Sequence, residues 1–167
     1  MAMNRIFLGL GSNLGDREHN LARAVCCLAK VPGIQIRQRS SLYESAPIGP
    51  EQPDYLNAVI EIETSIPPVQ LLALCKEIER AVGRTPGPRW GPRVLDIDLL
   101  LCDEIIADPR LQVPHLELHK RAFALMPLCE IAPDAIHPVL GRNIKQLADH
   151  LPEDQVVRRI GDFYVDH

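Results

Sequence analysis

The stretch Arg89-Trp90-Gly91-Pro92-Arg93-Val94-Leu95-Asp96-Ile97-Asp98-Leu99-Leu100 passes from a basic, Pro/Gly-broken loop into an apolar strand. Side chains of a strand alternate faces, so Asp96 and Asp98 point the same way, with Cα atoms roughly 6.5–7 Å apart. Two carboxylates at that spacing can share one or two hard cations, and Mg²⁺ is commonly held by one or two carboxylates together with substrate phosphates. Arg89 and Arg93 stand just upstream and offer guanidinium forks to phosphate oxygens. Acids for metal, cations for an anion and the large ring of Trp90 suggest a site for a metal–nucleotide complex. The Asp pair alone does not separate phosphoryl transfer from nuclease chemistry, and a solvated strand end is its ordinary alternative.

The segment Asp96–Cys102 is the fourth strand of a legible series. Arg5–Leu10 reads as the first strand and Gly9–Gly15 as a turn. Asp16 caps a helix to about Ala29, with Leu21, Val25 and Leu28 on one face. Ile34–Tyr43 reads as one strand, Glu44–Asp54 as a proline-rich loop, and Asn57–Thr64 as a strand of alternating apolar and acidic residues. Ser65 is expected to cap a helix with Pro67 and Pro68 in its first turn. Leu71, Leu74, Cys75, Ile78 and Val82 form its apolar stripe, and Gly83 ends it. The order βαββαβ predicts a ferredoxin-like α+β fold, an antiparallel sheet with helices packed on it. Extra helices are expected near Arg121–Ile131 and Ile144–His150, with a late strand near Val156–Ile160. Two loops of about ten residues, Glu44–Asp54 and Gly83–Arg93, have the length of lids or binding loops.

A chain of 167 residues is expected to be one domain, 1–167, with a substantial core. A hydrophobic content of 46% and a charged content of 24% are ordinary for a soluble protein. The net charge of −4 and the low aromatic content argue against nucleic acid as partner. No apolar run is long enough for a membrane span, and the start, Met1-Ala2-Met3-Asn4-Arg5-Ile6, has too short an apolar stretch for a signal peptide. Cys26, Cys27, Cys75, Cys102 and Cys129 include no Cys-x-x-Cys, which fits free thiols in the cytoplasm.

Gly9-x-Gly11 fails the dinucleotide fingerprint: position 14 is leucine, and Arg37-Gln38-Arg39 stands where an acidic residue is needed. A tight turn at the sheet edge is the expected alternative. His115 and His119 lack an obvious third zinc ligand, and His115 is better suited to donate a hydrogen bond to a nucleotide. Tyr55, Asn57, Trp90 and Phe123 are of the types that sandwich and read a flat heterocycle. A ferredoxin-like binding module without catalysis and a metal-dependent nuclease are the competing classes.

The chain resembles the 6-hydroxymethyl-7,8-dihydropterin pyrophosphokinase family of folate biosynthesis. The resemblance rests on Arg89–Leu100, Gly11-Ser12-Asn13-Leu14-Gly15, Gln52-Pro53-Asp54-Tyr55-Leu56-Asn57-Ala58, Val113-Pro114-His115, Arg121-x-Phe123 and Glu130-Ile131-Ala132-Pro133. It implies transfer of a pyrophosphoryl group from ATP to the pterin hydroxymethyl oxygen, with AMP leaving. It further implies that Asp96 and Asp98 hold two Mg²⁺ ions and that Arg84 and Arg93 engage phosphates in catalysis. Lys76, Trp90, Leu99, Arg110, Gln112, His115 and Arg121 would contact ATP. Ser45, Ala46, Ile48, Tyr55, Asn57, Trp90 and Phe123 would line the pterin pocket, with Glu79 supporting the site from a helix. The partners so implied are the two small-molecule substrates, the oligomeric state a monomer, and the compartment the cytoplasm. Leu116 stands where some members place tyrosine, Ser45-Ala46 replaces Thr-Pro, and the loop Thr85-Pro86-Gly87-Pro88 is short.

Overall fold

The computed structural model describes residues 3–47, 51–83 and 92–165. In chain order the elements are β1 (Asn4–Ser12), α1 (Arg17–Ala29), β2 (Ile34–Arg39), β3 (Leu42–Ser45), β4 (Tyr55–Thr64), α2 (Pro68–Val82) and β5 (Asp96–Cys102). They continue with β6 (Ile106–Asp108), β7 (Leu111–Val113), α3 (Ala122–Ile131), β8 (Ile136–His137), β9 (Arg142–Asn143), α4 (Ile144–Asp149) and β10 (Val157–Gly161).

The main sheet runs β10-β3-β4-β1-β5, with β2 also on β4, and every pairing is antiparallel. This is the expected ferredoxin-like arrangement with its second strand divided. Ser40 causes the division, because its N–H donates to Val59 O at 2.8 Å and its hydroxyl accepts from Val59 N at 2.9 Å. The chain bends at this point, and β2 and β3 pair with successive parts of β4.

Strand alternation builds two cores. Ile6, Leu8 and Leu10 of β1, Ile60 and Ile62 of β4 and Ile97 of β5 face α1 and α2. Leu71, Cys75, Ile78 and Val82 present the expected stripe from α2, each large apolar side chain contributing about 1.5–3 kcal/mol on burial. On the opposite face, Phe7, Val59, Leu100 and Leu101 pack under Leu125 and Leu128 of α3 and Leu147 of α4. Val59, out of step with Ile60 and Ile62 in the sequence pattern, belongs to this second core. Leu100 and Leu101 share one face because Phe7 pairs with Leu101 while Leu8 pairs with Leu99, leaving Leu100 as the extra residue of a bulge.

Three expectations need correction. The Gly9–Ser12 segment is not a turn at a sheet edge but the end of β1, a central strand flanked by β4 and β5. Ser65 does not cap α2. The helix begins at Pro68 after Pro67, without a side-chain cap, and a proline there gives up no hydrogen bond the helix needs. The strand expected over Ile34–Tyr43 is two strands, β2 and β3. Gly83 does end α2, at φ 123°, donating to Glu79 O and Arg80 O, a conformation that favours glycine. Among the described residues no helix is long and apolar enough to cross a membrane.

Candidate active site

The half of the second sheet face not covered by α3 and α4 is the floor of a recess. Asp96 and Asp98 project from β5, and their direct partners across the ladder are Gly11 and Gly9 of β1. No side chain stands beside either carboxylate from that strand. A Cβ at Gly11 would lie 3.4 Å from the Tyr55 ring, and one at Gly9 3.1 Å from Leu100 Cδ1. Glu79 of α2 supports the carboxylates from the opposite face. It is 1% exposed, its Oε2 accepts from Ile97 N at 2.8 Å, and Lys76 Nζ lies 3.4 Å from its Oε1. The backbone between the two aspartates is therefore tied to a buried helix carboxylate.

The Asp98 carboxyl opens onto the recess yet is crowded by protein. That crowding raises its pKa above the ordinary carboxylate range, with Glu79 adding to the effect and His115 and Lys76 opposing it. An acid held this way gains from an added cation. The donor set fits Mg²⁺: hard carboxylate oxygens on two side chains of one strand face, with no side chain opposing them from β1. Among the described residues no group of three or more His, Cys, Asp or Glu side chains forms a further metal site.

On one side of the aspartates, Ser45, Ala46, Tyr55, Asn57, Arg93, Arg121 and Phe123 line the recess together with Gly9 and Gly11. Asn57 is buried, and its Nδ2 donates to Ser45 Oγ at 2.7 Å, which fixes the amide orientation. The Arg121 guanidinium lies 5.7 Å from the centre of the Phe123 ring. Expected among the ATP contacts, Arg121 thus lines the recess of the pterin candidates. Arg93 is anchored by Asn13, whose Oδ1 accepts from Arg93 N at 2.7 Å and whose N donates to Arg93 O at 3.0 Å. The Asn13 amide also donates to Gln52 Oε1 at 2.8 Å and Pro53 O at 3.0 Å, joining three loops at one buried side chain.

On the other side, a second recess is lined by Leu72, Ile97, Leu99, Arg110, Leu111, Gln112, His115 and Leu116, and Asp98 is common to both recesses. His115 N donates to Leu100 O at 2.9 Å, and its Nδ1 accepts from Glu117 N at 3.2 Å. With Nδ1 an acceptor, a neutral His115 carries its proton on Nε2 and can donate from there. Arg110 is exposed and paired with Asp108 through Nε at 3.0 Å and Nη2 at 3.2 Å.

Most expected site residues therefore gather around Asp98. Lys76 is outside both linings and bound to Glu79. Ile48, Arg84, Arg89 and Trp90 lie outside the described residues. Sequence reading missed Gly9 and Gly11 as floor residues, although Gly-x-Gly has the same two-residue period as Asp-x-Asp. It also missed the anchoring by Asn13, for which the sequence has no signal beyond a polar residue after a strand, and the apolar wall of Leu72 and Leu111. The His119 and His137 rings lie edge to face, with their centres 6.3 Å apart. None of the five cysteines forms a disulfide. Burial pushes the Cys75 thiol up to about 12, unfit for a nucleophile at neutral pH.

Comparison with known proteins finds relatives along most of the chain. The family model for 7,8-dihydro-6-hydroxymethylpterin-pyrophosphokinase (HPPK) matches residues 7–133. The 2-amino-4-hydroxy-6-hydroxymethyldihydropteridine pyrophosphokinase of Methylorubrum extorquens is 48% identical over 158 residues, covering 93% of this chain and 99% of the relative. The protein of the same name from Haemophilus influenzae is 42% identical over 149 residues, covering 86% and 93%. A wild-type HPPK-DHPS of Plasmodium falciparum with SDX-DHP shares the fold, with a TM-score of 0.71 at 15% identity. That match covers 88% of this chain and 44% of the solved one, so the chain spans under half of that structure's length.

Proposed function

The chain belongs to the 7,8-dihydro-6-hydroxymethylpterin-pyrophosphokinase family and transfers pyrophosphate from ATP to hydroxymethyldihydropterin in folate synthesis, and we propose that the two recesses meeting at Asp98 are its two substrate sites. The observation that carries this reading is the shared wall. One recess has the flat ring of Phe123, the Tyr55 ring and the oriented Asn57 amide, which suit a heterocycle with hydrogen-bonding edges. The other has apolar walls with Gln112, His115 and Arg110 at its rim, which suit a nucleotide. The pterin hydroxymethyl oxygen and the β-phosphorus of ATP would then meet over Asp96 and Asp98.

In this reading Asp96 and Asp98 hold two Mg²⁺ ions. Bound there, the ions would neutralise the triphosphate and polarise the phosphorus under attack. Arg93, fixed in its backbone by Asn13, meets phosphate oxygens and stabilises charge as AMP departs. Arg84 joins it, and Trp90 covers both substrates. Arg121 sits between the pterin ring contact Phe123 and the phosphates. His115 donates from Nε2 to the nucleotide, while Arg110 exchanges Asp108 for a phosphate and Lys76, with Leu99, Gln112 and Trp90, completes the ATP contacts. Ser45, Ala46, Ile48, Tyr55, Asn57, Trp90 and Phe123 enclose the pterin. Water must be excluded, or ATP would be hydrolysed. Residues 1–167 act as one domain, a cytoplasmic monomer whose partners are these small molecules and not nucleic acid.

The test is incubation with ATP, Mg²⁺ and hydroxymethyldihydropterin, following nucleotides by chromatography. AMP formed only with the pterin is the expected result. ADP would point to an ordinary kinase, and no nucleotide change would overturn the reading.

A further inference from the structure

The tail beyond the family match, which ends at residue 133, reaches both walls of the pterin recess within three residues. Gln155 grips α3 on either side of Arg121: its Oε1 accepts from Ala122 N at 2.9 Å, and its Nε2 donates to Lys120 O at 2.6 Å. Arg121 itself, in the N-cap position, makes no side-chain cap bond. Gln155, 33 residues from Ala122, thus satisfies one of the open N–H groups of the helix start. Two residues on, Val157 of β10 pairs with Ser45 of β3, and Arg158 pairs with Glu44. Arg121 and Phe123 form one wall of the recess, and Ser45 and Ala46 form another.

The far end of α3 is held separately. Glu130 accepts from Ser41 N at 2.9 Å, from Ser41 Oγ at 2.8 Å and from Tyr43 OH at 2.8 Å. So α3 is tied to β3 at its C-terminal end by its own carboxylate, and at its N-terminal end only by way of the tail among these bonds. The recess lies at that N-terminal end. Only Val156 separates Gln155 from Val157, so the two attachments lie within a span of two residues and one glutamine side chain.

We infer that the segment Gln155–Val157 is a clamp that sets the spacing of the pterin recess, with Gln155 a positioning residue for the pterin. It acts through Ala122 and Lys120, whose placement aims Phe123 and Arg121. The inference rests on the first recess being the pterin site.

The experiment compares wild-type, Gln155→Leu and Gln155→Glu chains by steady-state kinetics in both substrates, by pterin fluorescence titration and by thermal melting. Gln155→Leu keeps the size and loses both bonds, and the dihydropterin KM and Kd are expected to rise about tenfold, the scale of one lost hydrogen bond. The ATP KM is expected to rise less than the dihydropterin KM, because of the two residues aimed by the clamp only Arg121 also faces the phosphates. Gln155→Glu keeps the acceptor for Ala122 N–H, which a carboxylate at a helix start favours, but sets its second oxygen against Lys120 O, and is expected to recover only part of the dihydropterin affinity. An unchanged dihydropterin KM in Gln155→Leu overturns the clamp, as does an equal rise in both KM values with a lowered Tm, the mark of a purely structural role. A wild-type chain that neither binds the pterin nor forms AMP overturns the site reading and the clamp with it.

Discussion

Gly9 stands directly across the β1·β5 ladder from Asp98, as Gly11 does from Asp96. Each acidic side chain thus has an absent side chain for its neighbour. A side chain at Gly9 would press on Leu100, whereas one at Gly11 would enter the recess beside Tyr55 and Asn57 and should cost binding before it costs stability. Gly11→Val places its Cβ at ordinary contact from the Tyr55 ring, in a strand that suits a β-branched residue. The dihydropterin KM is expected to rise tenfold or more, at about the scale of a methyl-sized misfit, while Tm stays near that of wild type. Kinetics paired with thermal melting check this, and an unchanged KM would contradict the placement.

Asp96→Ala and Asp98→Ala are each expected to lower AMP formation by about 10³-fold or more, the scale of several kcal/mol of lost charge stabilisation. Far-UV circular dichroism should remain that of wild type, because neither carboxylate is part of a packed core. Asp98→Asn is also expected to melt no lower than wild type without Mg²⁺ at neutral pH, because crowding penalises the charged form that it removes. Activity near wild type in either alanine variant would sink the metal assignment.

Glu79 is a buried acceptor for the amide between the two aspartates. Glu79→Ala leaves that N–H unpaired and opens a void, and should destabilise the fold by about 2–4 kcal/mol in urea titration. Glu79→Gln retains an oxygen for Ile97 N–H and should lose much less. Equal losses in both variants would show that the charge, and not the hydrogen bond, matters.

His137 is buried, and its Nδ1 accepts from Leu140 N at 3.1 Å. Burial first, and then His119, lowers its pKa below the ordinary histidine value near 6.5. Between the lowered folded value and the ordinary one, the unfolded chain binds more protons than the folded chain. The stabilising contribution is therefore complete above about pH 6.5 and is lost as pH falls through the folded value. Melting temperatures measured from pH 7.5 down to pH 5 should fall for wild type and fall less steeply for His137→Asn, which keeps an acceptor for Leu140. Parallel pH profiles would refute the assignment.

Patterns that depend on local spacing were legible without coordinates. The strand Asp96–Cys102, the α2 stripe, the Gly83 stop, the paired aspartates and the late strand all follow from side-chain periodicity and backbone conformational cost. The Ser40 bend was not legible, since a polar pair inside an alternating segment looks like more strand until Val59 supplies both its bonds. The pinning of Arg93 by Asn13 was hidden for the same reason, because its partners lie 80 residues apart in the chain.

The sequence by itself determined the βαββαβ order of the core apart from the β2–β3 division, the family, and the two carboxylates that share a face. Each of these depends on residue type and near-neighbour spacing. Only the tertiary structure decided that Gly9 and Gly11 open the floor beside those carboxylates, that Asp98 is common to two recesses, and that Gln155 grips the helix carrying Arg121 and Phe123. Strand register and long-range hydrogen bonds are set by how whole elements pack, and no local pattern encodes which distant residue will face which.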